Sequence, residues 1–424
     1  MKRPSCRRAW LPCGLSLLLL SAISVDAQAP LTFGWDASIQ TIGAVADSGA
    51  GPSVEMQDAL SLGFELSHGA GRGLFSYRLS GEVQYTPQQI APGDQPLAAL
   101  TGYPGVSGIT FELPAQKLIG LWFRAGLGRL ALDEPAGLLL NDPAALVPAQ
   151  LADGLLVEFR YRGFYGSLGA GYLGLLDKRL NRVRFTAQDA GELADSSVYF
   201  APPRGLAVLR LEADELFAGQ RAGFFGIWQK DFRAALPTFD SWYFETLVEG
   251  PITPGFRHES ALAAAITVPS GSAPGVGLMI DELVAYRLPV SFLHEAWFSV
   301  LWASGPGSTL AGFPALAGPS VSTGLQAALS DIVRLELGLD SAFSAVPAGA
   351  AVSSAFAVRL LLRPSGLPLQ GYSFAMQGPY VGTELELSAR LEPVGGLRLQ
   401  ARAGALVAWA AILPYVRLEA GAVL

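Results

Sequence analysis

Apolar and polar residues alternate with period two along most of this chain. In one segment Leu60, Leu62, Phe64 and Leu66 share a face, and Ala59, Ser61, Gly63, Glu65 and Ser67 share the other. The next repeats the pattern, with Phe75, Tyr77, Leu79, Val83 and Tyr85 against Ser76, Arg78, Ser80, Glu82 and Gln84. Val333, Leu335, Leu337 and Leu339 oppose Arg334, Glu336, Gly338 and Asp340. Val381 to Leu391 and Leu397 to Ala403 alternate in the same way. Period two means β-strand, with one wet face and one apolar face. The predicted strands run about 9–12 residues, the length of a tilted membrane crossing, whereas sandwich strands average about 5–6. Ionised residues stand in mid-strand on the polar faces, as a water-filled lumen requires.

Mean hydropathy is +0.35, and half of the residues are hydrophobic. A spanning helix needs roughly 20 consecutive apolar residues. The best run beyond the N-terminus, Ala403 to Leu413, stops at Pro414 and lies between Arg402 and Arg417. Only helices and closed barrels satisfy every backbone group in lipid. The pattern therefore predicts an all-β fold: a transmembrane antiparallel up-and-down β-barrel of about 16–20 strands, counted at about 20.

Residues 1–27 read as a cleavable signal peptide. Lys2, Arg3, Arg7 and Arg8 precede an apolar stretch from Leu11 to Val25, and Val25-Asp26-Ala27 supplies small residues for cleavage. The barrel is then 28–424. Cys6 and Cys13 are the chain's two cysteines and leave with the signal, which excludes disulfides and cysteine chemistry from the mature chain. Four of the 29 basic and one of the 36 acidic residues leave too, so 25 basic and 35 acidic residues remain, a net charge of −10. This argues against a nucleic-acid partner.

Predicted connections alternate in length. Short ones are His68–Arg72, Arg162–Phe164, Leu288–Val290, Ser330–Asp331 and Glu392–Gly396; long ones are Thr86–Gly105, Asp133–Asp153, Asp177–Pro203 and Ser304–Pro319. Short turns at one rim and long loops at the other are the asymmetry of outer-membrane barrels. Aromatics at predicted strand ends, including Tyr161, Tyr172, Trp302 and Tyr415, suit the headgroup level.

On these residues the chain resembles the bacterial outer-membrane porins along its whole mature length. Gly128-Arg129, a long loop, Asp153-Gly154 and a strong strand from Leu155 to Arg162 resemble the constriction-loop region of porin-like channels, alginate-export-type barrels included. The resemblance implies a constriction loop carrying Asp133, Glu134, Asp142 and Asp153. It also implies an outer-membrane location in a diderm bacterium, reached through the periplasm, with membrane lipid and the outer-membrane assembly machinery as partners. The chain departs from the family in ending on Leu424, where porins usually end on an aromatic. Asn141-Asp142-Pro143-Ala144 resembles the Asn-Pro-Ala of long-chain fatty acid transporters, but lies far from the mature N-terminus where that family carries it.

No nucleophile elbow, phosphate loop, dinucleotide fingerprint or zinc spacing occurs. His68, His258 and His294 are scattered, and His258 and Glu259 point to opposite faces, so the chain reads as no enzyme, with no cofactor and no metal site. Asp189, Glu192 and Asp195 share a loop that reads as solvated and acidic. By parity the lumen receives Arg78 and Glu82, then Trp122, Arg124, Glu158, Arg160 and Arg162, then Arg334, Glu336 and Arg359, then Glu384, Glu386 and Arg402. A barrel this wide is not filled by side chains alone. The leading reading is a porin-like channel for passive diffusion of small hydrophilic solutes. A surface-exposed structural or adhesin-type barrel and a carrier for apolar ligands are the alternatives, and the oligomeric state, a homo-oligomer included, stays open. In the loop, Leu138, Leu139, Leu140, Leu146, Val147 and Leu151 carry too much apolar surface for a free loop; they predict packing against the inner wall, bringing its acids towards Arg124, Arg160 and Arg162, with packing over the barrel mouth or against a neighbouring subunit as the alternative.

Overall fold

The computed structural model describes residues 31–47, 52–70, 75–87, 102–118, 120–140, 150–176, 200–234, 238–290, 292–305, 313, 330–343, 351–365, 378–392, 397–408 and 412–423. For the first four strands, Phe33 apart, the description is of backbone and register. The expected signal peptide, Asp142 and the acidic loop around Glu192 lie outside the described residues.

The described residues form 18 strands. They are β1 (Leu31–Asp47), β2 (Pro52–Ala70), β3 (Phe75–Pro87), β4 (Gly102–Leu118), β5 (Leu121–Leu132), β6 (Gln150–Tyr161), β7 (Phe164–Tyr172), β8 (Arg204–Phe217) and β9 (Gln220–Asp231). There follow β10 (Phe239–Thr253), β11 (Phe256–Pro269), β12 (Gly275–Arg287), β13 (Glu295–Ala303), β14 (Ile332–Phe343), β15 (Ala351–Leu362), β16 (Tyr380–Glu392), β17 (Leu397–Val407) and β18 (Ile412–Val423). Each pairs antiparallel with its neighbour in sequence, and β1 pairs with β18, from Ser38↔Val423 to Ala46↔Tyr415. The sheet closes, so it has no edge. No described helix is long and apolar enough to cross a membrane.

The count of 18 falls within the predicted range and below the count of about 20. One expected short turn is not one. β13 and β14 are direct partners from Glu295↔Asp340 to Ala303↔Ile332, so Ser330–Asp331 belongs to the connection between them. Ser330–Asp331 is its final corner rather than a short turn. Asp331 imitates a turn because it takes a left-handed backbone, φ 55°, and its carboxylate accepts from Arg363 Nε at 2.9 Å.

The start of β1 and the end of β18 lie at the same rim. At that rim two-residue turns join β6 to β7, β8 to β9 and β10 to β11. Arg162-Gly163 and Ala218-Gly219 both have φ between 46° and 80°, the type I′ geometry whose twist matches the strands. Pro254-Gly255, with Gly255 at φ 88°, has the type II composition. The opposite rim carries the long connections 88–101, 133–149, 173–203, 304–331 and 363–379.

Exposure follows the alternation. Leu127, Leu337 and Leu387 are 58–59% exposed, while Glu336, Glu384 and Leu406 on the opposite face are buried. Leu385 is exposed like Leu387, and Val333 and Leu335 share the outward parity of Leu337. Aromatics ring the outer face: Phe256 stacks on Tyr286 at 4.4 Å by the short turns, and Tyr172 lies 6.3 Å from Phe232 by the long loops. Tyr415 breaks the expected girdle, because its parity turns it inward to carboxylates that satisfy its hydroxyl. Replacing Leu337, on the apolar face, with arginine is expected to cost roughly 2–4 kcal/mol of folding stability in lipid. Urea titration of the refolded barrel checks this, and an unchanged midpoint would contradict the facing.

Candidate functional site

The polar residues of β5 to β8 form two aligned rows on the inner face. Trp122, Arg160, Tyr165 and Glu212 are successive register partners, and so are Arg124, Glu158, Ser167 and Arg210. Even positions on β5 and β6 put Trp122, Arg124, Glu158 and Arg160 on this face, opposite exposed Leu127 and Leu155. Arg124 Nε donates to Glu158 Oε2 at 2.6 Å, and the Tyr165 hydroxyl donates to Glu158 Oε1 at 2.8 Å. The guanidinium carbons of Arg160 and Arg210 lie 5.8 and 5.3 Å from the centre of the Tyr165 ring, within cation–π range. Arg210 also pairs with Glu212 and Asp133, and Arg221 links Glu212 to Glu249 at 2.8 and 2.6 Å.

A second network lies on the inner face of β14 to β18. Arg359 donates to Glu336 at 2.5 Å, Glu384 at 2.9 Å and Glu386 at 3.1 Å. Arg334 stands 3.5 Å from Glu336. The Tyr415 hydroxyl lies 2.7 Å from Glu384 and 2.8 Å from Glu386. Arg402 is half-buried on the same face of β17 as buried Leu406.

The connection after β5 turns inward. Leu138, Leu139 and Leu140 are at most 4% exposed and share an apolar cluster with Phe225, Tyr243 and Leu247 of the inner wall. Each buried leucine contributes roughly 1.5–3 kcal/mol. Glu134 accepts from the amides of Leu139 and Leu140 at 3.0 and 2.6 Å, which curls the segment on itself. The Glu245 carboxylate of β10 accepts from the amides of Ala136 at 2.9 Å and Leu138 at 3.1 Å. Cavities flank the loop on two sides. One, of about 200 Å³, is bounded by Asp133, Arg124, Glu158, Tyr165 and Arg210. The other, of about 260 Å³, is bounded by Leu138 with Glu259, Asp281, Trp297, Arg334 and Glu336.

Several sequence expectations are corrected. Arg162 belongs to the β6–β7 turn, 5.2 Å from the Tyr161 ring, and not to the wall. Asp133 pairs with Arg210 and borders one cavity with Arg124, while Arg162 lies at the far rim. Glu134 turns back to its own loop. Asp153 is a β6 residue, not a loop residue. Gly128 and Gly154 are register partners, as are Arg129 and Asp153, and Arg129 grips Asp153 through Nε and Nη2, both at 2.9 Å. That pair has the outward parity of Leu127 and Leu155. The Gly-Arg and Asp-Gly dipeptides thus form one cross-strand clasp on the outer face at the long-loop rim. Gly128 takes φ 128°, and a side chain on Gly154 would strike the Ala170 carbonyl oxygen, so both glycines are required by the backbone.

Of the remaining expected residues, Arg78 is the register partner of Glu112, and Glu82 of Gly63. His258 and Ser260 lie on the outer face with Glu282. Their atoms are 3.1 Å apart, but the Ser260 hydroxyl donates to Glu282 at 2.8 Å. The carboxylate therefore engages the serine instead of orienting the imidazole, which is the reverse of a nucleophile relay. Sequence reading passes over Tyr165, Arg210 and Glu245. The parity of Leu209, Leu211 and Ala213 would have turned Arg210 inward, whereas nothing local ties Glu245 to a loop more than a hundred residues earlier.

No protein-family model and no curated protein sequence matches the chain. Solved structures do. OpdL of Pseudomonas aeruginosa is 13% identical, with a TM-score of 0.60 over 92% of this chain and 98% of that one. The fold is that of an outer-membrane porin. Pseudomonas aeruginosa OccK2 (OpdF) in complex with glucuronate is 14% identical, with a TM-score of 0.58, covering 92% of this chain and 98% of its own. OpdK with vanillate, from the same organism, is 13% identical, with a TM-score of 0.58 and the same coverage. Porin architecture accounts for the inward loop and the charged inner rows together, since both face the axis of a closed barrel.

Proposed function

We propose that the chain is an outer-membrane channel that passes small hydrophilic solutes, with the inner rows as its lining and the loop after β5 as its constriction. The observation that carries this reading is the inward loop itself. It buries its leucines on the wall, yet leaves water-sized space on both sides, bounded by ionised groups of both signs. Rows of fixed charge in a narrow aqueous path select among solutes by sign and hydrogen bonding. A carrier for apolar ligands would need an apolar path, and the side chains bounding these cavities are largely polar. Glucuronate and vanillate, bound by the structural neighbours, are small polar solutes of the size such a path would admit.

Single-channel recording of the purified barrel in a planar bilayer tests this: discrete ohmic steps are expected, and a silent bilayer with correctly inserted protein would refute it. Arg160 gives a sharper readout. It is exposed on the inner face and, among the described residues, contacts the Tyr165 ring without a carboxylate partner. Arg160→Ala is expected to move the reversal potential in a salt gradient towards cation preference while leaving insertion intact. An unmoved potential would remove Arg160 from the conduction path.

A further inference from the structure

We propose that Glu245 is the positioning residue of this channel: one buried wall carboxylate holds the constriction loop in place and thereby sets the open cross-section. The inference rests on reading that loop as the constriction. Three acids touch the loop and do different things. Glu134 binds amides of its own segment and so fixes the loop's shape. Asp133 pairs with Arg210 and ties down the loop's first residue. Glu245 alone of the three belongs to the wall and reaches the loop's middle, accepting from Ala136 and Leu138.

Its setting is built for this. Glu245 is 1% exposed, between Tyr243 and Leu247 on the inner face of β10, and those two side chains belong to the same buried apolar cluster as Leu138 and Leu139. The two loop amides converge on its two oxygens, Oε1 and Oε2. A carboxylate accepts at both atoms, whereas glutamine would offer one oxygen and set its own donors against the other N–H. The shape of the side chain is kept while half of the latch becomes repulsive, and a buried amide left without an acceptor is costly.

The test is planar-bilayer recording of the full barrel with Glu245→Gln, Glu245→Asp and Ala136→Pro, beside a deletion of residues 137–149. Proline at 136 removes one donated N–H from the loop side and leaves the wall untouched. In Glu245→Gln, open conductance and current noise are expected to rise from the wild-type level towards those of the deletion, and the reversal potential should move in the deletion's direction. Glu245→Asp, which keeps the charge but reaches less far, should fall between. Ala136→Pro should repeat the glutamine result and decides the matter if that variant does not insert. Wild-type conductance and potential in both Glu245→Gln and Ala136→Pro, beside a deletion that changes them, would overturn the latch and leave the constriction standing. A deletion without effect would overturn both.

Discussion

Arg359→Ala is expected to destabilise the barrel by roughly 3–5 kcal/mol, because it takes from three buried carboxylates the guanidinium they share. Glu336, Glu384 and Glu386 all lie within 3.1 Å of Arg359, and none is more than 6% exposed. Without the arginine, Glu384 and Glu386 keep the one hydroxyl of Tyr415 between them, and Glu336 keeps Arg334 at 3.5 Å. The loss is thus mainly the cost of unpaired buried charge and much less the loss of packing. The same logic predicts rescue. Adding Glu384→Gln and Glu386→Gln to Arg359→Ala should recover most of the stability, a non-additivity that marks residues of one network. Urea unfolding in lipid vesicles measures both. An Arg359→Ala midpoint equal to wild type, or a triple variant no better than the single one, would contradict the network account.

The second large effect is on conduction. Deleting residues 137–149 removes Leu138, Leu139 and Leu140 and one of the two amides held by Glu245, that of Leu138, and leaves β5 and the start of β6 intact. The 18-stranded wall keeps its closure, since pairing of β5 with β6 runs from Trp122↔Arg160 to Leu132↔Gln150 without the loop. Open conductance should rise several-fold, because what remains is a barrel too wide for its own side chains to fill. Ion preference should change as well, with Asp133 released from its fixed place beside Arg210. A channel of unchanged conductance would show that the narrowest point lies elsewhere.

Period two is a local property. It turns Glu336 and Glu384 away from Leu337 and Leu385 wherever the strands end up, so the facing of the inner network follows from the alternation alone. The turn dipeptides are local too: Arg162-Gly163 and Pro254-Gly255 set their hairpins through backbone preferences of a few residues. Closure follows from apolarity without helices, since lipid tolerates no open edge.

Register and loop placement are not local. One side chain of β15 serves three carboxylates on β14 and β16 because of how those strands align, and parity alone does not give alignment. The Gly-Arg and Asp-Gly dipeptides signal a place correctly, but only the pairing of β5 with β6 makes them a clasp on the outer face. Asp331 resembles a turn from its neighbours and is a rim anchor because Arg363 lies beside it in space. Glu245 and Leu138 are 107 residues apart, and their hydrogen bond exists only once the barrel has closed. The alternation determined a closed membrane barrel with a charged interior. The tertiary structure decided which charges meet and where the loop rests, because those depend on contacts between segments whose separation along the chain no local preference encodes.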